Sequence, residues 1–239
     1  MNPRTYVIVT AYNEAERIGQ TLDTLKAAFA HAQVIVGDDG SDDATPQIAR
    51  AAGARVVRSE RVIGKGGAAT LAAQEALRQA GEPDDSHAAG GQAVFLLCDG
   101  DLGESARLLV ALTSAVQRGE ADVAVAAFAT RVGGGFGLAL GFARWAIRRR
   151  CGLSTDAPIS GQRALSQVAL ADVLPFAHGF GMEVGMTIDA VRAGRRLVEI
   201  ELDLSHRASA RTPGGFAHRG TQLVDFARAY LARGRLARA

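Results

Sequence analysis

The sequence predicts an α/β fold with a mostly parallel central sheet and helices on both faces. Three observations carry that prediction. Short apolar, β-rich runs alternate with stretches of helical periodicity through the first half. Several of those runs stop at clusters of Asp and Gly, as strands do when they deliver loops to a ligand. No internal repeat or clean linker interrupts the 239 residues, so they read as one domain: a half at 1–104 and a second half at 105–239.

The elements follow in order. Tyr6–Thr10 is a strand, and Asn13–Ala30 a helix with Ile18, Leu22, Leu25 and Phe29 on one stripe. Val34–Val36 is the second strand, running into Gly37-Asp38-Asp39-Gly40-Ser41. A helix over Ala44–Ala52 follows, capped by Asp42 or Asp43. Arg55–Arg58 is a third strand, and Gly66–Ala80 an Ala-rich helix. Residues 82–92 have loop composition. Ala93–Cys98 is a buried strand ending in Asp99-Gly100-Asp101. Glu104–Arg118 is a helix and Asp122–Phe128 a strand.

The second half is less regular. Phe136–Arg150 begins apolar and ends in Arg148-Arg149-Arg150. Asp156–Leu165 has turn chemistry leading into a strand or helix. Gly179–Glu183 precedes a helix to about Ala193, and Leu197–Leu204 alternates apolar and acidic residues as a half-exposed strand. His206–His218 is a polar loop, and Arg219–Ala239 a basic terminal helix.

Composition bounds the chemistry. Hydrophobic residues are 48% and charged residues 22%, which excludes a disordered chain. Two cysteines, Cys98 and Cys151, exclude a disulfide framework and point to a reducing, cytoplasmic compartment. No apolar stretch reaches the roughly 18 residues of a membrane span. The net charge of +2 hides an uneven distribution, with seven Arg and one acidic residue from Ser205 to Ala239. That stretch and the Phe136–Arg150 segment could lie on an anionic inner membrane face, or be packed helices with solvated Arg. Nucleic-acid binding is not expected, because basic and aromatic residues do not interleave.

Three clusters carry the candidate chemistry. Asp99 and Asp101, two positions apart after a buried strand, are hard oxygen ligands suited to Mg²⁺ or Mn²⁺ shared with a diphosphate. The plain alternative is a surface turn. Asp38 and Asp39 suit donors on a ligand, a base imide N–H or ribose hydroxyls, because carboxylates only accept. The alternative is dipole compensation for the next helix. Gly64-Lys65-Gly66-Gly67 fits a loose dinucleotide pattern, but it follows the third strand and the first ends in Ala11-Tyr12-Asn13-Glu14. A sugar-nucleotide beside Lys65 is the better reading.

Taken together, Thr10–Glu14, Val36–Thr45, Gly64–Ala68 and Asp99–Asp101 resemble a family 2 glycosyltransferase of the GT-A fold. The resemblance is strongest to the dolichyl- or polyprenyl-phosphate sugar synthases. Asp156–Arg163 and Gly179–Glu183 resemble later segments of that branch. The resemblance implies that Ala11, Tyr12 and Glu14 line the nucleotide pocket. It implies that Asp38 or Asp39 contacts the base, and that Lys65 and Gly66 lie beside the nucleotide. Asp99 would face ribose or metal, and Asp101 would ligate metal. Ser160, Arg163 and Arg131 would face the acceptor. The branch usually carries Asp-Ala-Asp-Leu-Gln, whereas Leu102 here precedes Gly103-Glu104, so His206 or Glu104 would complete the metal site. An alcohol acceptor needs a general base, for which Glu183 is the candidate, with capping of the following helix as its alternative.

The implied activity is inverting, metal-dependent transfer from a UDP- or GDP-sugar. The acceptor would be a polyprenyl phosphate or a soluble phosphorylated or hydroxyl compound. A nucleotidyltransferase shares the sheet and carboxylates, but its glycine-rich basic loop is missing after the first strand. A noncatalytic sugar-nucleotide-binding protein is the second rival. Oligomeric state is not legible.

Overall fold

The computed structural model describes residues 4–81, 93–128, 137–204 and 224–234. Among them, seven strands form one sheet in the order β3-β2-β1-β4-β6-β5-β7. These are β1 (Thr5–Ala11), β2 (Gln33–Asp38), β3 (Arg55–Arg58), β4 (Val94–Asp99), β5 (Val123–Phe128), β6 (Arg163–Ser166) and β7 (Leu197–Leu202). Only β6 runs against the rest, pairing antiparallel with both β4 and β5. The mostly parallel α/β fold is therefore as the sequence predicts.

Alternate residues of the central strands feed opposite faces. Val7 and Val9 of β1, with Leu96 and Cys98 of β4, meet α1 (Ile18–Ala28), α2 (Thr45–Ala51) and α4 (Val110–Gln117). Tyr6, Ile8, Phe95 and Leu97 meet α3 (Lys65–Ala80), α6 (Gln167–Val173) and α7 (Met182–Arg192). Tyr6 and Phe95 stack with centroids 5.2 Å apart. A third apolar cluster joins α5 (Gly137–Cys151), α7 and α8, the helical residues 224–232.

Several elements differ from the sequence expectation, each for a local reason. The first helix begins at Ile18 instead of Asn13. Asn13 has a positive φ of 54°. The backbone N–H groups of Asn13, Glu14 and Ala15 donate to Ser41 Oγ, Thr45 Oγ1 and Asp43 Oδ2, so this turn is tied to the next loop. The predicted helix at Glu104–Arg118 is a 3₁₀ turn over Gly103–Leu109 followed by α4. Helix α6, capped by Ser166 accepting from the Ala169 amide, has no counterpart in the sequence reading. Glu199, expected on the open side of a half-exposed strand, is partly buried and covered by residues 155–157.

The basic segments are tied inward in part where they are described, with Arg228 of α8 largely exposed. Arg144 of α5 donates to backbone carbonyls, and the Arg150 guanidinium lies 3.7 Å from the centre of the Tyr230 ring. Arg233 pairs with Asp189, while Arg148 and Arg149 are exposed. No helix among the described residues is long and apolar enough to cross a membrane.

Candidate active site

Strand register gathers the first set of side chains. Ala11 of β1 stands beside Asp38 of β2, and Thr10 beside Asp99 of β4. Because the three strands are parallel, their carboxyl ends reach one edge, where α/β sheets take ligands. Ala11 is buried at that edge and accepts from the Asp39 amide at 3.0 Å. Tyr12 is exposed and Glu14 half-buried.

The two aspartates after β2 brace loops. Asp38 is fully buried; its Oδ1 accepts from Ser41 Oγ at 2.5 Å, and Arg58 Nε lies 3.3 Å from Oδ2. That Oδ2 makes no hydrogen bond, an arrangement folded proteins rarely tolerate. Asp39 Oδ1 accepts from the Ile63 and Gly64 amides at 2.7 and 3.1 Å, holding the turn that opens α3. Burial raises the Asp39 carboxyl above its ordinary value against those two amides, and neighbouring Asp38 adds to the rise. Asp43 bonds Thr45 and Ala15 across the same edge.

That turn delivers Lys65 to the centre. Gly66 permits the approach: a Cβ there would overlap the Ala177 carbonyl oxygen. Lys65 Nζ lies 2.8 Å from Asp99 Oδ1 and 2.9 Å from Glu183 Oε1. Asp99 also accepts from Gln162 Nε2 at 2.9 Å and Thr10 Oγ1 at 3.2 Å. Burial works against the Lys65 charge, but Asp99 and Glu183 outweigh it and raise the ammonium above its ordinary value. Burial likewise opposes the charge of Asp99, and Lys65 with the three hydrogen bonds holds that carboxyl below the usual range. Gly161 closes over the cluster. A Cβ there would come within 2.6 Å of Lys65 Nζ and 3.1 Å of Asp99 Oδ2, so only glycine fits without displacement.

The second half supplies the other wall. Glu183, in the first turn of α7, is buried. Ser160 is buried two residues before Gln162. Arg163 is fully buried and does not reach an open surface. Its Nε donates to the Ser160 carbonyl at 2.8 Å and its Nη1 to Thr187 Oγ1 at 2.8 Å. Burial pulls its guanidinium down to about 10 despite the nearby Glu183 and Glu199, so it is charged at neutral pH. Arg163 thus holds the loop that carries Ser160 and Gly161.

Asp101 is half-buried after β4, and Glu104 is exposed in the following 3₁₀ turn. Arg131 and His206 lie outside the described residues, so the metal set of Asp99, Asp101 and His206 is described only for its two carboxylates. Among the described residues, no group of three His, Cys, Asp or Glu is arranged around a common metal position. Asp99, Asp101 and Glu183 against Lys65 nevertheless leave a formal charge of −2 at this edge. A divalent cation held by one or two carboxylates and completed by substrate phosphate oxygens fits that donor set.

Three residues of the arrangement were not singled out from sequence. Gln162 lies within the Asp156–Arg163 segment, but nothing in its type marks it as a partner of Asp99. Glu199 and Arg144 lie in other elements and carried no signal beyond surface charge.

The family model for Glycosyl transferase family 2 matches residues 6–151. Solved structures of glucosyl-3-phosphoglycerate synthase from Mycobacterium tuberculosis are similar over nearly the whole chain. The form with Mg²⁺ and uridine-diphosphate is 26% identical, covering 97% of this chain and 79% of that one, with a TM-score of 0.72. The form with Mn²⁺, uridine-diphosphate and phosphoglyceric acid is 25% identical over 98% and 80%, with a TM-score of 0.71. The form with Mn²⁺, uridine-diphosphate and glucosyl-3-phosphoglycerate is 25% identical over 97% and 80%, with a TM-score of 0.69. An uncharacterized protein of Methanocaldococcus jannaschii is 43% identical over 63 residues, which are 26% of this chain and 26% of that protein.

Proposed function

The chain belongs to glycosyl transferase family 2 and has the GT-A architecture of that family's solved members, and we propose that it transfers a sugar, with inversion, from a uridine-diphosphate sugar to a small phosphorylated acceptor. The observation that carries this reading is the cluster of Lys65, Asp99 and Glu183, with Asp101 beside it, at the carboxyl edge of the parallel strands. The likeness to an enzyme solved with uridine-diphosphate and phosphoglyceric acid favours UDP over GDP. It also favours a soluble phosphorylated acceptor over a polyprenyl phosphate, without membrane contact.

In this reading the base lies against Tyr12 and Asp39, with Asp38 fixing the pocket wall from behind. Lys65 reaches the nucleotide side of the site, and Asp101, with Asp99, is the protein's share of a Mg²⁺ or Mn²⁺ site. The bound cation supplies neutralisation of charge on the departing diphosphate. Glu183 faces the acceptor. As the acceptor oxygen bonds to the anomeric carbon and the bond to the diphosphate oxygen breaks, the acceptor proton passes to the Glu183 carboxylate. Ser160 and Gly161 set the acceptor's height, and Arg163 holds them from beneath.

Thermal denaturation with UDP, GDP and dTDP, each with and without Mn²⁺, tests the donor half of the reading. UDP with Mn²⁺ at about a hundred times its dissociation constant stabilises by roughly 2.7 kcal/mol, a melting shift of roughly 5 °C or more. Incubation with UDP-glucose and 3-phosphoglycerate then yields UDP and a glucosylated product. A protein whose melting no nucleotide moves does not have this function.

A further inference from the structure

Residues 152–162, between α5 and β6, contain no helix or strand, yet they carry Ser160, Gly161 and Gln162 to the centre of the site. Their far end is anchored well away from the chemistry. Glu199, on the edge strand β7, spends both carboxylate oxygens on this segment. Oε1 accepts from Thr155 Oγ1 and from the Ala157 amide at 3.1 Å, and Oε2 accepts from the Asp156 amide at 3.0 Å. Arg144, on α5, grips the same turn through its acceptors, donating to the carbonyls of Thr155 at 3.2 Å and Asp156 at 3.0 Å. A carboxylate takes the donors and a guanidinium the acceptors of one three-residue turn, both through charge-assisted bonds.

Little slack separates that clamp from the site. The Ser160 amide donates to the Ala157 carbonyl at 3.3 Å, closing a turn around Pro158. Arg163 Nε holds the Ser160 carbonyl, and the Gln162 carbonyl accepts from the Ala126 amide at 3.0 Å. Gly161 then packs on Lys65, and Gln162 Nε2 reaches Asp99. Displacement of residues 155–157 is passed to Gly161 because the intervening residues are fixed by backbone bonds at both ends.

We propose that Glu199 and Arg144 are positioning residues that hold Gly161 and Gln162 against the Lys65–Asp99–Glu183 cluster. The inference rests on the transferase reading above for its effect on rate, and on geometry alone for its effect on the loop. Glu199 is also close enough to favour the charge of buried Arg163, so it acts on both ends of the segment. Glu201, two residues along the same strand and exposed, makes the natural control.

The test compares Glu199→Gln, Glu199→Asp, Arg144→Gln and Glu201→Gln by amide hydrogen exchange and by turnover of UDP-glucose with 3-phosphoglycerate and Mn²⁺. Glu199→Gln is expected to speed exchange across 155–162 by about tenfold, leaving peptides of β4 and α7 unchanged. Its kcat falls about tenfold or more, since misplacement of about an ångström is costly in rate, while the KM for UDP-glucose stays within about twofold. Glu199→Asp recovers part of both losses, and Glu201→Gln shows neither. Arg144→Gln, changed on a partly exposed side chain, reproduces the effect and serves if Glu199→Gln fails to fold. Unchanged exchange at 158–162, or faster exchange with wild-type kcat, overturns the proposal. If the protein turns over no UDP-glucose, the specific donor and acceptor reading fails and exchange alone decides: retained protection at 158–162 overturns the positioning role, lost protection supports it.

Discussion

The two halves of the site are held by different means. On the first-half side, Thr10, Asp38, Asp39 and Asp99 stand at or just beyond the ends of parallel strands; ladder register brings them to one edge, and Ser41, Asp43 and Asp39 side chains brace the loops beyond it. On the second-half side, Ser160, Gly161 and Gln162 precede β6, the one antiparallel strand among the described residues, and Glu183 lies in the first turn of a helix. Side chains from remote elements hold these parts: Glu199 from β7, Arg144 from α5 and Asp225 from α8. Backbone ladders thus align the strand ends of one wall, while polar side chains reaching across 11 to 45 residues position the other. The second arrangement is therefore expected to be the more sensitive to loss of a single polar tie.

The largest effect expected on either side is chemical. Asp101→Ala should lower turnover of UDP-glucose at saturating Mn²⁺ on the order of a thousandfold, as removal of a group facing developing charge does, with the cooperative melt retained. Turnover retained by that variant would sink the donor-side metal assignment. Next in size is a test of the acceptor side's ties. Asp225 is buried, accepts from the Phe180 amide at 3.1 Å and secures the turn before Glu183. Asp225→Ala removes that charge-assisted bond and should cost about 2 kcal/mol, lowering the melting temperature by roughly 4–8 °C. A shift below a degree would erase the contrast between the halves.

The smallest effect lies on the donor side. Glu75 on α3 is bonded by Arg78 and Gln79 and paired with Arg55, which together hold its carboxyl down to about 2. A carboxyl lowered by folding stabilises above its ordinary value near 4.5, and that contribution disappears as pH falls towards about 2. Glu75→Gln should therefore flatten the acid limb of melting temperature against pH over that window. The change at neutral pH should stay below about 1 kcal/mol, because both arginines are largely exposed. A larger loss would mean that exposed ties on α3 matter to the first half as much as buried ties matter to the second.

Legibility followed the same division. The fold class, the strands of the first half and the convergence of Asp38, Asp39, Lys65 and Asp99 were readable, because apolar runs and their Asp–Gly ends are local signals. The start of α1 was misplaced, since Asn13 to Ala15 give their amides to side chains some thirty residues away. Glu199 fell on the acidic side of a strand read as half-exposed, because alternation reports which side of a strand a residue faces, not what covers it. Arg163 was placed towards the acceptor, whereas it is fully buried and holds the Ser160 carbonyl from beneath. Nothing in a lone Arg after Gly-Gln distinguishes those two positions.

The sequence, through alternating strand and helix signals and motifs that resemble family 2 glycosyltransferases, determined an α/β fold with a carboxylate-rich edge. Strand period and strand-end chemistry are properties of consecutive residues. How the loop carrying Ser160 to Gln162 is held, by a carboxylate and a guanidinium from two other elements closing on one turn, depended on the packed structure. Those bonds join residues between 11 and 44 positions apart, and a sequence carries no local mark of a partner that folding brings from so far.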